Sequence, residues 1–259
     1  KCIILPNLIG NVPDWKAIRE AFPGVILFED SADTITKNEC TDLSTTSFYA
    51  SHVITAGGVG GMVMFNDEKH LKRALMFRDW GRIGDNIEEP SERFNHSVDG
   101  IPYDWKFLYG VAGYHLKACE MNAAFGLVQL DKLPGFLETR RQMMERYLDN
   151  LKDCPYYTLP DDSVKPNWLA IPLQCPDRLE LVNYLEEHDV QTRVTFAGNI
   201  TRHPAFRDYL RNFENADTIM KDGFLLGAHH GLTIEDVDRV CDLLKTFAEM
   251  KQQRGKYFH

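Results

Sequence analysis

Apolar positions in the first 65 residues fall in short runs bounded by polar or turn-forming residues. KCIILP (1–6) and GVILFED (24–30) are aliphatic and partly β-branched, and predict strands. Between them, DWKAIREAF (14–22) sets Trp15, Ile18, Ala21 and Phe22 at helical spacing. Asp14 stands where an N-cap belongs, and Pro23-Gly24 ends the segment. Strand, helix, strand in this order predicts a right-handed βαβ unit and a mostly parallel sheet. TTSFYA (45–50) and GGMVMF (60–65) predict two more strands around a glycine-rich turn, and DEKHLKRALMFRDWG (67–81) predicts a helix ending at Gly81.

Periodicity then lapses. Residues 83–105 are polar and predict a long exposed loop, a length that in compact domains usually serves function or motion. HLKACEMNAAFGLVQLDKL (115–133) predicts a helix that stops before Pro134, followed by a second, amphipathic one, GFLETRRQMMERYLDNL (135–151). Beyond it come NWLAIPL (167–173), RLELVNYLEEH (178–188), VQTRVTF (190–196) and a closing helix, TIEDVDRVCDLLKTFAEMKQQR (233–254). The pattern predicts two α/β domains, 1–133 and 134–259.

Composition narrows the classes. With 259 residues, 44% of them hydrophobic, the chain can bury a sizeable core. A net charge of −9 argues against a broad nucleic-acid surface, so an anionic ligand needs a local group of arginines. No apolar run nears the roughly 18 residues of a membrane span, and KCIILPNLIGN does not read as a signal peptide. Cys2, Cys40, Cys119, Cys154, Cys175 and Cys241 are scattered without a CxxC pair, which suits reduced thiols in a cytoplasmic protein and no metal site.

Three stretches could carry chemistry. FEDSAD (28–33) sets Glu29, Asp30 and Asp33 at the C-terminal end of a strand, the edge where open parallel sheets bind ligands. An aspartate there either holds a protonated heterocycle nitrogen or caps the following turn. SFYASHVITAGG (47–58) breaks from strand to turn around His52, which is either a base for near-neutral pH or a hydrogen-bonded rim residue. GGVGG (57–61) precedes a strand rather than a helix, so it reads as a tight turn and not a dinucleotide fingerprint. No small-residue anion nest precedes Asp30.

FEDSAD, STTSFYASHVITAGGVGG, FRDWGR (77–82), GYHLKACEMNAAFGLVQLDKL (113–133) and TRVTFAGNITRHPAF (192–206) together resemble the sugar-nucleotide aminotransferase family. The resemblance runs nearly end to end and is nearest to its 3-dehydratase branch. It implies fold type I of the pyridoxal-phosphate-dependent transferases, aspartate-aminotransferase-like. The expected form is a partial large domain with a mixed, mostly parallel sheet, plus a smaller C-terminal α/β domain. The N-terminal part of that fold, with its phosphate nest and ring-stacking aromatic, is expected to be missing.

The resemblance also implies roles. His52 stands where amine-transferring members keep the Schiff-base lysine, and no lysine lies between Lys37 and Lys69. An imidazole cannot make that covalent link, so the cofactor is expected as free pyridoxamine 5′-phosphate, interconverting with pyridoxal 5′-phosphate. His52 would act as base in C3 dehydration of a nucleotide-linked 4-keto-6-deoxyhexose. Asp30 is matched to the partner of the pyridine nitrogen, Asp33 to a position near the phenolic oxygen, and Ser47 to a phosphate ligand. His115, in GYH where the family often has GYN, is matched to a phosphate contact from the neighbouring subunit of a homodimer. Arg193, Asn199 and Arg202 fall in the segment expected near the sugar nucleotide. The stretch 83–94 carries no cysteine, so no iron–sulfur cluster is expected, and glutamate is the implied amino donor. Two other readings stay open: an aminotransferase with a lysine recruited from elsewhere, and a non-catalytic homologue.

Overall fold

The computed structural model describes residues 1–84 and 87–256, the side chains of 254–256 excepted. It divides into two compact units, one of Lys1–Pro6 with Asp14–Gln129, the other of Asn7–Pro13 with Leu130–His259.

The first unit is built on strands β1 (Cys2–Pro6), β2 (Ile26–Asp30), β3 (Leu43–Ser47) and β4 (Gly61–Phe65), in that spatial order. β1 and β2 pair parallel from Cys2 opposite Ile26 to Pro6 opposite Asp30, joined through helix α1 (Trp15–Ala21) as the βαβ reading predicts. The Asp14 carboxylate accepts the Ala17 N–H at 3.0 Å, and Trp15 anchors the helix by full burial. β3 is parallel to β2, and β4 returns antiparallel to β3, so the sheet is mixed. β3 ends at Ser47, earlier than the apolar pattern predicts. Phe48 N–H still bonds Gly60 O, but Phe48 O turns to Ala56 N–H and the Thr55 hydroxyl, so Tyr49 and Ala50 enter a loop. Helix α2 (Glu68–Arg78) follows, capped by Asp67, whose carboxylate accepts the Lys69 N–H.

The stretch 83–105 is not a plain loop. It holds a helical turn, α3 (Pro90–Arg93), and a small hairpin of β5 (Ser97–Val98) and β6 (Ile101–Pro102). The hairpin turns on Asp99 and Gly100, both at positive φ (51° and 82°), as a two-residue turn requires. Strands of two residues are too short to display a period. Asp85 and Asn86 lie outside the described residues.

The expected break at Pro134 is absent: a single helix, α4, runs Glu120–Leu151 with Pro134 inside it. Proline removes one backbone hydrogen bond and crowds the preceding turn, but the second half of α4 buries Met143, Met144, Tyr147 and Leu151. That burial, at about 1.5–3 kcal/mol per large side chain, outweighs the local cost.

The second unit carries an antiparallel sheet of β7 (Ala170–Gln174), β9 (Gly223–Gly227) and β8 (Arg193–Val194), with β9 central. Helices α5 (Arg178–Glu187) and α7 (Ile234–Lys256) contribute Leu181, Leu185, Val237, Cys241 and Leu244 to a core shared with Ile171, Leu173 and Phe224. The sequence reading overlooks helix α6 (Glu214–Asp222) and β9. β9 is buried on both faces and so lacks alternation. Segment 7–13 is stitched into this unit by Leu169 N–H to Ile9 O at 2.7 Å. Gly10 sits at φ 113°, where a Cβ would lie 2.5 Å from Asn167 O.

Candidate functional site

Register decides which residues share a face at the C-terminal edge of β2. Asp30 pairs with Thr45 and Glu29 with Ser44. By strand alternation Asp30, Thr45 and Ser47 line one half-buried face, while Glu29, Ser44 and Thr46 line the other, which is buried. The sequence groups Glu29 with the candidate acids, but the fold separates it. Its carboxylate accepts the Asn38 N–H at 2.7 Å and the hydroxyls of Thr36 and Thr41 at 3.0 and 3.4 Å, and it holds the loop between β2 and β3. Asp30 Oδ1 accepts the Ala32 N–H at 3.1 Å, which fixes its carboxylate at the strand end. Ser47 Oγ accepts the Tyr49 N–H at 3.2 Å.

The turn after β2 is tied down. Ser31 Oγ donates to Thr36 O at 2.6 Å, the Thr34 and Ile35 N–H groups bond Ser31 O, and Ser31 N–H bonds Thr45 O. Asp33 lies inside this turn and is buried. The loop carrying His52 is equally constrained. His52 N–H bonds Tyr49 O at 3.1 Å, and the Tyr49 ring meets the imidazole edge-on at 6.2 Å. Val53, Ile54 and Ala56 are buried, and Asn122 Nδ2 reaches from α4 to Ala56 O. The two segments meet where His52 Nδ1 stands 3.3 Å from Asp33 Oδ1. Nδ1 is shielded from solvent, and the approach falls short of hydrogen-bond geometry. No sequence signal pairs these two residues: they are nineteen positions apart on different loops.

His115 is exposed and elsewhere in the first unit's network. Its ring stacks on Trp80 at 4.4 Å and 15°, and its backbone bridges to Asp79. Arg82 and Lys117 flank the same indole at 4.6 and 5.6 Å, so FRDWGR and GYHLK form one cationic, aromatic surface. Trp80 adopts φ 61° and Gly81 φ 88°, with no room for a Cβ at Gly81 beside Val111 O.

Arg193, Asn199 and Arg202 all belong to the second unit. Arg193 is exposed on β8, with Nη1 donating to Thr192 O. Asn199 is buried, and both ends of its amide are engaged. Nδ2 donates to Arg211 O at 3.0 Å and Asp217 Oδ1 at 2.8 Å, while Oδ1 accepts from the Thr201 N–H and hydroxyl. Arg202 forks onto both oxygens of Asp217, Nη2 at 2.8 Å from Oδ2 and Nε on Oδ1. The Arg202 and Asn199 hydrogen bonds hold the Asp217 carboxyl down to about 2.

The DegT/DnrJ/EryC1/StrS aminotransferase family profile matches residues 1–245. Lipopolysaccharide biosynthesis protein RfbH of Salmonella typhimurium is 33% identical over 95% of this chain and 62% of its own length. The dTDP-4-dehydro-2,6-dideoxy-D-glucose 3-dehydratase of Saccharopolyspora spinosa is likewise 33% identical, over 95% of this chain and 59% of its own. Among solved structures, GDP-4-keto-6-deoxymannose-3-dehydratase with a trapped PLP-glutamate geminal diamine superposes with a TM-score of 0.81 at 25% identity. That match covers 94% of this chain and 67% of the other. The chain thus spans about three fifths of the length of the curated relatives it matches. Its sheet, its motifs and its matched span agree: it is a member of the DegT/DnrJ/EryC1/StrS aminotransferase family.

Proposed function

We propose that this chain carries the proton-transfer side of a pyridoxamine-phosphate-dependent 3-dehydratase acting on a nucleotide-linked 4-keto-6-deoxyhexose. The observation that carries the reading is the imidazole of His52 in the loop after β3, 3.3 Å from Asp33 and in a stretch without lysine. The residues fit the cofactor. A carboxylate at the C-terminal edge of β2, a hydroxyl at the end of the neighbouring strand and an imidazole in the loop that follows are side chains suited to a protonated pyridine bearing a phosphate. When bound, that group supplies an amine able to condense with a ketone and a ring able to accept electrons.

Asp30 would pair with the ring nitrogen and keep it protonated. Ser47 Oγ would donate to the phosphate. His52 Nε2 would take up one proton and return one to the departing C3 hydroxyl, so that water leaves and the imidazole ends neutral. His115 would reach the phosphate of a second copy in a homodimer, placed by its stack on Trp80. Of the three residues matched to the sugar nucleotide, exposed Arg193 would meet the diphosphate, while Asn199 and Arg202 would shape its surroundings through Asp217. Glutamate would restore the amine form.

Product analysis tests the proposal. Loaded with pyridoxamine phosphate and given a 4-keto-6-deoxyhexose nucleotide, the protein is expected to yield, by mass spectrometry, a sugar lacking the C3 hydroxyl. The family's aminotransferase character favours a second reading. A 4-amino sugar product, with cofactor fixed to a lysine after borohydride reduction, would establish that one instead.

A further inference from the structure

We propose that Asp33 is a positioning residue for His52: its carboxylate accepts a hydrogen bond from Nδ1–H, which keeps the proton on Nδ1 and so leaves the Nε2 lone pair as the base. The inference rests on the reading of His52 as the base. Its own support is the pairing of two shielded side chains, 3.3 Å apart, with about 12% of Asp33 and 18% of His52 exposed. A ring nitrogen without a hydrogen bond in such a place is costly, and a carboxylate oxygen stands within reach of it. The imidazole χ2 torsion is soft, so a small ring turn closes the bond. Catalytic hydrogen bonds are commonly long or misaligned before the ligand is bound and tighten afterwards.

Both partners are held for the purpose. Asp33 is set by the turn that Ser31 locks to Thr36 and Thr45, and His52 by Tyr49 and the buried Val53-Ile54 that follow it. The two nitrogens of a neutral imidazole differ in role, and the hydrogen bond at one decides which of them carries the proton. With Nδ1–H directed at Asp33, Nε2 accepts a proton in the forward step.

The test reads the tautomer directly, by long-range nitrogen–proton NMR on the nitrogen-labelled chain without cofactor. The expected wild-type signal is predominantly the Nδ1–H form of His52. Asp33→Asn is expected to shift the population towards Nε2–H and, in the loaded enzyme, to lower kcat about tenfold or more with little change in KM. Asp33→Glu should restore the Nδ1–H form. A wild-type His52 in the Nε2–H form, or a tautomer indifferent to Asp33→Asn, would overturn the inference. Should Asp33→Asn fail to fold, the wild-type tautomer alone decides. The underlying reading fails separately, if His52→Asn retains full turnover whatever the tautomer.

Discussion

Asn199 is the residue whose place in the structure says most about its energetic role. Its amide bonds the backbone of Arg211, the carboxylate of Asp217 and the turn at Thr201, so it holds a corner of the second unit together. Asn199→Ala removes all the hydrogen bonds of a buried amide that ties Arg211, Asp217 and Thr201 together and is expected to destabilise that unit by about 1–3 kcal/mol, read as a lower denaturant midpoint. An unchanged midpoint with weakened nucleotide binding would mean that Asn199 acts on ligand rather than on the fold. Its neighbour Asp217 is held to about 2, below the ordinary 3.8, by Arg202 and Asn199. The folded carboxyl therefore binds protons less readily than the unfolded one. Its stabilisation is complete above the unfolded value and fades as pH falls through the folded one. Between pH 5 and 2 the wild type is expected to lose more stability than Asp217→Asn, as acid titrations of thermal midpoints can show. Asp30 is legible in the sequence as an acid at the C-terminal edge of a strand, and Ser47 only through the family resemblance; that the two share a face follows from the β2–β3 register. The Asp33–His52 approach was not legible, since it depends on two loop conformations that no period encodes.

Among the elements, α1, α2, β1 and β2 were legible because their apolar spacing, caps and stops agree. Helix α4 was misjudged at Pro134, where a local rule predicted a stop and burial of the following turns overrode it. Both Pro134 and Gly135 are exposed and within the helix. Pro134→Ala restores a backbone donor and is expected to stabilise the protein by about 1–3 kcal/mol. Gly135→Ala, whose Cβ would meet nothing within 4 Å, is expected to add about 1 kcal/mol. Circular dichroism during thermal unfolding checks both, and a fall in midpoint for either would show that the local geometry departs from a regular helix. Strand β9 escaped the sequence for the opposite reason: five residues buried on both faces carry no alternation, and only their position between β7 and β8 makes them a strand.

At the scale of the whole molecule, the two units differ in how much apolar surface they bury. Among the described residues the large contiguous core belongs to the second unit. The first rests on Trp15, Leu27, Val53, Ile54, Ala56 and Leu108, while Ile4, Ile26, Met62 and Val63 of its sheet are exposed. Unfolding in urea is therefore expected in two steps, the first unit at lower denaturant. Trp15 reports on the first and Trp168 on the second, each in a variant lacking the other tryptophans. Coincident transitions would contradict unequal cores. The chemistry proposed for the molecule depends on His52, and one comparison addresses it most directly: single-turnover C3 deoxygenation of a 4-keto-6-deoxyhexose nucleotide by pyridoxamine-phosphate-loaded wild type and His52→Asn. The account predicts a loss of at least about 100-fold with the cofactor still retained. Turnover at the wild-type rate by His52→Asn would contradict it.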